Sequence, residues 1–206
     1  MRRFFSHLLT VPNALSLFRL LSAPLLAVFW LGFGWKAIAL ATGTLGGISD
    51  LFDGVLARKL NQETELGAVI DQLGDLIFES FCLIIGVVIG QLWLGWLLLY
   101  LFRELTVTAM RGYMTARGGK LPSSALGKIK SSLFQWAFFP LFFGAILLDP
   151  GVIPGSWCLA GLHPGQVLVW VATFAIGVGT TVSLVSGWSY LRAFASFYGG
   201  RGAGEV

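Results

Sequence analysis

The residues with the most chemistry in this chain lie between Asp50 and Asp75, in the stretch DLFDGVLARKLNQETELGAVIDQLGD. Four carboxylates, Asp50, Asp53, Asp71 and Asp75, stand in the ends of two apolar runs long enough to span a membrane. A carboxylate at membrane depth costs roughly 3 kcal/mol even on lenient scales, so a set of four requires positive charge among them. At about 100° per residue, Asp50, Asp53, Gly54, Ala57 and Arg58 share one arc of a helix, and Gly67, Asp71 and Asp75 climb one face of the next. The intervening KLNQETEL is short and polar and suits the turn of an antiparallel helical hairpin, so the two faces can meet. Converging oxygen ligands suit hard divalent cations such as Mg2+ or Mn2+. Soft-metal sites are set aside, because the two histidines and two cysteines are well separated. Two divalent ions would neutralise four carboxylates.

The elements that must position these groups are apolar helices. Hydrophobic residues make up 56% of the chain and charged residues 12%, with a mean hydropathy of +0.79, a balance that belongs in a bilayer. Apolar runs of about 20 residues predict six spans, near 11–33, 35–58, 66–90, 94–117, 126–148 and 164–197, the last long enough to tilt or project. With the N-terminus inside, Arg2, Arg3, Arg58, Lys59, Arg117, Lys120, Lys128, Arg192 and Arg201 fall at cytoplasmic ends, and only Lys36 on the other side. The aspartates then face the cytoplasm. The basic pI of about 9.3 fits anionic lipid as a neighbour. Nucleic acid is a poor partner for this chain, since the basic residues sit at membrane edges rather than on a soluble recognition element.

At the N-terminus, Phe4, Phe5, Leu8 and Leu9 recur at helical spacing opposite Arg2 and Arg3, which predicts a short interfacial helix rather than a cleaved signal peptide. Arg19 interrupts the apolar stretch that follows. Cys82 and Cys158 do not predict a structural disulfide, and His7 and His163 have no neighbouring ligand pattern.

The run Asp50-x2-Asp53-Gly54-x2-Ala57-Arg58-x8-Gly67-x3-Asp71-x3-Asp75 resembles, without gap or substitution, the signature of the CDP-alcohol phosphatidyltransferases. The resemblance implies an all-α integral membrane protein of six transmembrane helices, with an N-terminal interfacial amphipathic helix and both termini cytoplasmic. It implies a single membrane domain over 1–206: an interfacial helix at 1–10, a six-span bundle at 11–197 and a tail at 198–206. The implied reaction is attack of an alcohol on the lipid-side phosphorus of a CDP-linked lipid, with CMP leaving. Asp50, Asp53 and Asp71 are implied as ligands of one metal ion, and Asp50, Asp71 and Asp75 as ligands of a second. Such a pair neutralises pyrophosphate and orients an in-line displacement. Asp75 resembles the family's general base, a role open to a carboxylate beside a metal-polarised hydroxyl. Gly54, Ala57, Arg58 and Gly67 are implied in binding the CDP-lipid: the glycines admit close backbone approach, and the Arg58 guanidinium suits the pyrophosphate. A homodimer in the membrane, of bacterial inner-membrane type, is also implied.

Three further stretches resemble phosphatidylglycerophosphate synthases: Asn13-x2-Ser16-x2-Arg19, Arg103-Glu104 followed by Arg111, and Gly127-Lys128-Ile129-Lys130-Ser131. Arg103 and Arg111 are within about 80° of each other on one helix and can face one cavity. Arg103, Arg111, Lys128 and Lys130 would then bind the phosphate of an acceptor such as glycerol 3-phosphate. Arg103 lies roughly 20 Å along the helix from Arg117, too deep for easy snorkelling, so a buried network with Glu104 is expected. The chain departs from those synthases in one place. Where they carry D-P-x-A-D-K, it has Asp71-Gln72-Leu73-Gly74-Asp75-Leu76, without the lysine. Inositol phosphate and serine therefore stay open as acceptors. Glu79, four residues after Asp75, either extends the acidic face or pairs with Arg103 or another buried cation. An acid-lined cation transporter would also explain carboxylates in spans, but gives no reason for the fixed Gly54, Ala57, Arg58 and Gly67.

Overall fold

The computed structural model describes residues 11–60, 65–119, 125–152, 158 and 161–202, with the side chains of 11, 12, 51–60, 65, 66, 68, 125, 128 and 200–202 outside the description. The expected interfacial helix at 1–10, the turn at 61–64, most of the 149–163 connection and the last residues of the tail lie outside the described residues. Among the described residues six helices follow one another: α1 (Val11–Ala27), continued by a π-helical turn at Val28–Gly32, α2 (Lys36–Leu60), α3 (Glu65–Val88), α4 (Leu94–Ala116), α5 (Ala125–Leu147) and α6 (Pro164–Gly202). Among the described residues there is no strand.

Three segments, Asn13–Gly32, Ile129–Leu147 and Pro164–Gly199, are long and apolar enough to cross a membrane. The other three helices have 25, 24 and 23 residues and carry Asp50, Asp71, Asp75, Glu79, Arg103, Glu104 and Arg111. At 1.5 Å per residue each reaches roughly 35 Å or more, beyond the hydrocarbon thickness of about 30 Å. Large apolar side chains face outward all round, among them Phe18, Leu98, Phe102, Trp136, Val171 and Phe174. That is the surface a lipid environment favours and water does not.

The helix ends follow local chemistry. Gly90 (φ 74°) closes α3, with the Gln91 N–H donating to the Gly86 carbonyl at 2.9 Å and the Gly90 N–H to Val87 at 3.0 Å. Gly118 (φ 74°) closes α4 in the same way, through Gly119 to Met114 at 2.8 Å and Gly118 to Thr115 at 3.0 Å. Both use a left-handed residue to satisfy orphan carbonyls, a conformation glycine takes without steric cost. Helix α6 continues past the expected end at 197 to Gly202. Its last turns pack on the end of α4, with Phe194 against Tyr113 at 5.5 Å between ring centroids.

Packing runs in a ring: α1 on α2, α2 on α5, α5 on α6, α6 on α4, α4 on α3, and α3 back on α1, with α3 also touching α5 across the middle. The buried core includes Leu26, Trp30, Phe78, Leu83, Tyr100, Phe134, Leu141 and Ile176. Helix α1 thus packs against both aspartate-bearing helices, a third partner for what the sequence alone presents as a two-helix hairpin.

Candidate active site

The one-turn spacing that puts Asp71 and Asp75 on a common face of α3 delivers both to Asp50 of α2. Each offers a carboxylate oxygen, and the three oxygens lie within 4.8 Å of one another. The path of α2 continues through Asp53, Gly54, Ala57 and Arg58, whose side chains lie outside the described residues. Gly67 stands one turn before Asp71 on α3.

Helix α1 supplies the cation. Arg19, 2% exposed, donates from Nη1 to Asp50 Oδ1 and is ion-paired through the same nitrogen with Asp75 Oδ1. Its Nη2 donates to Gln135 Oε1 of α5 at 3.3 Å, and Gln135 Nε2 in turn donates to the Gly47 carbonyl. The guanidinium lies over the Phe78 ring, 5.3 Å from the centroid. Sequence reading treated Arg19 as a break in an apolar run and part of a short motif, and missed this role. The signal was present, since an arginine and three acids at similar depth in adjoining spans each need a partner of opposite sign.

Three carboxylates against one guanidinium leave two negative charges among the described residues of the cluster. An all-oxygen donor set of that residual charge fits a hard divalent cation.

Beside Asp75 a cavity of about 390 Å³ opens between α3, α4, α5 and α6. Arg103 and Arg111 both line it, on one face of α4, and Lys130 lines it from α5; the side chain of Lys128 lies outside the described residues. The three cations are not equivalent. Arg103 donates to Glu104 Oε1 at 2.5 Å, to Ser186 Oγ at 2.8 Å and to the Ser183 carbonyl at 3.1 Å, with its guanidinium 5.4 Å from the Tyr190 ring centroid. Lys130 is held by Glu104 at 2.8 Å and Glu79 at 3.1 Å, beneath the Tyr100 ring. The buried network expected around Arg103 is present, and Glu79 pairs with Lys130 rather than with Arg103. Arg111 instead meets a neutral group: its Nη1 donates to Gln72 Oε1 at 3.1 Å, and Gln72 Nε2 donates to Thr108 Oγ1 at 3.4 Å.

Fold and site together define an all-helical membrane protein with an acidic, oxygen-only centre next to a cavity lined by cations. The family model described as CDP-alcohol phosphatidyltransferase matches residues 9–182. A CDP-diacylglycerol–glycerol-3-phosphate 3-phosphatidyltransferase of Cereibacter sphaeroides is 29% identical over 89% of this chain and 94% of that protein. A protein of the same name from Salmonella choleraesuis is 27% identical over 92% and 95%. A probable phosphatidylglycerophosphate synthase of Mycobacterium tuberculosis is 33% identical over 88% and 82%. This chain belongs to the CDP-alcohol phosphatidyltransferase family and is a transferase.

Proposed function

We propose that the chain transfers the phosphatidyl group of CDP-diacylglycerol to glycerol 3-phosphate, giving phosphatidylglycerophosphate and CMP. The observation that carries this reading is the place of Asp75, which belongs both to the acidic cluster and to the wall of the cavity. A group so placed touches two substrates. The CDP-lipid lies at the cluster, with Arg58 on its pyrophosphate and Gly54, Ala57 and Gly67 leaving room for the nucleotide. The acceptor enters the cavity with its phosphate on Arg111 and its hydroxyl towards Asp75. Asp75 accepts the hydroxyl proton as the oxygen bonds to the lipid-side phosphorus and the bond from that phosphorus to the CMP oxygen breaks. Divalent ions, Mg2+ or Mn2+, bound by Asp50, Asp53, Asp71 and Asp75 would supply charge neutralisation at the pyrophosphate and in-line orientation.

The same reading takes the chain as one domain with six spans, both termini and the cluster on the cytoplasmic side of a bacterial inner membrane, and working as a homodimer. The excess of Lys and Arg at one end of the helices supports that orientation.

The test is CMP release by purified protein in liposomes with CDP-diacylglycerol and Mg2+, comparing glycerol 3-phosphate, inositol 1-phosphate and serine. Release with glycerol 3-phosphate alone is the expected result. Release only with another acceptor would replace the substrate and keep the chemistry; acceptor-independent or absent release would overturn the reading.

A further inference from the structure

Glu79 is 3% exposed, sits one turn beyond Asp75 on α3, and has no part in the reaction just described. Its carboxylate holds Lys130 at 3.1 Å, and Glu104 holds the same ammonium at 2.8 Å and Arg103 at 2.5 Å. Two acids and two bases thus close a chain across α3, α5 and α4. With Asp75 and Arg111 added, the six charges described on the cavity wall sum to zero. Arg103 and Lys130 each have a carboxylate partner, whereas the described side-chain partner of Arg111 is the amide of Gln72.

We infer that Glu79 is a positioning residue that sets the charge of the acceptor cavity: by holding Lys130 jointly with Glu104, it makes Lys130 part of a neutral floor and leaves Arg111 as the group that meets an anionic acceptor. The physical reason is competition for one ammonium. Burial raises the strength of both ion pairs, since charges removed from water interact through a lower dielectric. A phosphate entering the cavity would have to displace a carboxylate from Lys130, whereas at Arg111 it displaces only an amide oxygen. An ionised partner makes the stronger hydrogen bond, so the second exchange is the easier. Lys130 on this view is charge-compensated structure, unlike the phosphate ligand its position in the sequence implies.

The inference rests on the proposed reaction, and the wild-type protein tests that first: without CMP release on glycerol 3-phosphate, the functional reading fails before any variant is compared. Given wild-type activity, Glu79→Gln gives the cavity one net positive charge and frees the ammonium from one carboxylate. The KM for glycerol 3-phosphate is expected to fall by roughly threefold to tenfold, with inorganic phosphate a correspondingly stronger competitive inhibitor and the KM for the CDP-lipid unchanged. An unchanged or raised acceptor KM in folded Glu79→Gln overturns the inference. The double variant Glu79→Gln with Lys130→Gln removes one acid and one base together, keeps the Arg103 to Glu104 pair, and avoids an unpaired buried charge if the single variant fails to fold. It is expected to keep the acceptor KM within about twofold of wild type, because the net charge of the cavity is unchanged. A tenfold rise in the double variant would make Lys130 a direct phosphate ligand and overturn the assignment.

Discussion

Arg19 on α1 is ion-paired with Asp75 on α3, the carboxylate that also lines the cavity between α3, α4, α5 and α6. The pair joins α1 to the acidic cluster and offsets one of its three negative charges. Arg19→Gln leaves the acids with no protein cation described beside them, and removing one partner of a buried pair costs about 3–5 kcal/mol. The unfolding temperature of this variant in detergent with chelator is expected to drop well below wild type, and saturating Mg2+ to recover part of the difference. Equal destabilisation with and without Mg2+ would mean that the cluster does not take the ion.

Asp75→Asn keeps size and hydrogen-bonding reach but removes the carboxylate proposed as proton acceptor. Turnover is expected to fall by at least about 100-fold, the lower end of general-base contributions, with CDP-lipid binding largely intact. Asp50→Ala is expected instead to weaken Mg2+-dependent CMP binding. Single-turnover rates and nucleotide binding separate the two, and an Asp75→Asn enzyme of full activity would remove Asp75 from the chemistry.

Arg111→Ala withdraws the cavity cation whose described side-chain partner is an amide. The KM for glycerol 3-phosphate is expected to rise by about tenfold or more, matching loss of a charge-assisted hydrogen bond, with little change in the KM for CDP-diacylglycerol. Equal effects on both would place Arg111 outside the acceptor site.

These expectations draw unequally on sequence. The helices at 36–60, 65–88 and 94–116 fall close to the apolar runs because each run is bounded by polar or glycine residues; Asp71 and Asp75 share a face as their one-turn spacing requires, and the short connection lets that face meet Asp50. Arg19 with Asp75, and Lys130 with Glu79, were not legible as pairs. Periodicity tells which residues share a face of their own helix, but not which other helix that face meets. The ring order of the bundle, with α1 packed against both α2 and α3, is set by packing across more than fifty residues of chain. The polarity of the pairs was nevertheless visible, since each is a charge that a bilayer-depth helix does not carry unpaired.

At the opposite end of the bundle, Lys36 Nζ donates to Asp149 Oδ2 at 2.7 Å, and the Gly151 N–H donates to Oδ1 at 3.2 Å. The lysine bond first, and the amide second, hold the Asp149 carboxyl below its ordinary pKa. A lowered carboxyl favours the folded state above the ordinary aspartate pKa, and that benefit is lost as pH falls through the lowered value. Because the pair is exposed, the effect is small and screened by salt. Asp149→Asn is expected to flatten the acidic end of the stability profile slightly at low ionic strength, and to match wild type in high salt; a difference that persists in high salt would point to something other than this pair.

At the α5–α6 seam two glycines face each other's backbone. A Cβ added at Gly144 would stand 2.7 Å from the Gly165 carbonyl oxygen, and one at Gly165 would stand 2.7 Å from that of Gly144. Both obstacles are backbone, so neither can turn aside as a side chain can. Gly165→Ala is therefore expected to destabilise the bundle by about 1–3 kcal/mol, the usual cost of overpacking. Gly112→Ala on α4 provides the contrast, because nothing lies within 4 Å of its added Cβ. There the replacement of a mid-helix glycine is expected to be neutral or stabilising by up to about 1 kcal/mol. Thermal unfolding of the two variants in one detergent decides the point: opposite shifts locate the close approach at the α5–α6 seam, and a loss of similar size in both would leave the seam no tighter than the rest of the bundle.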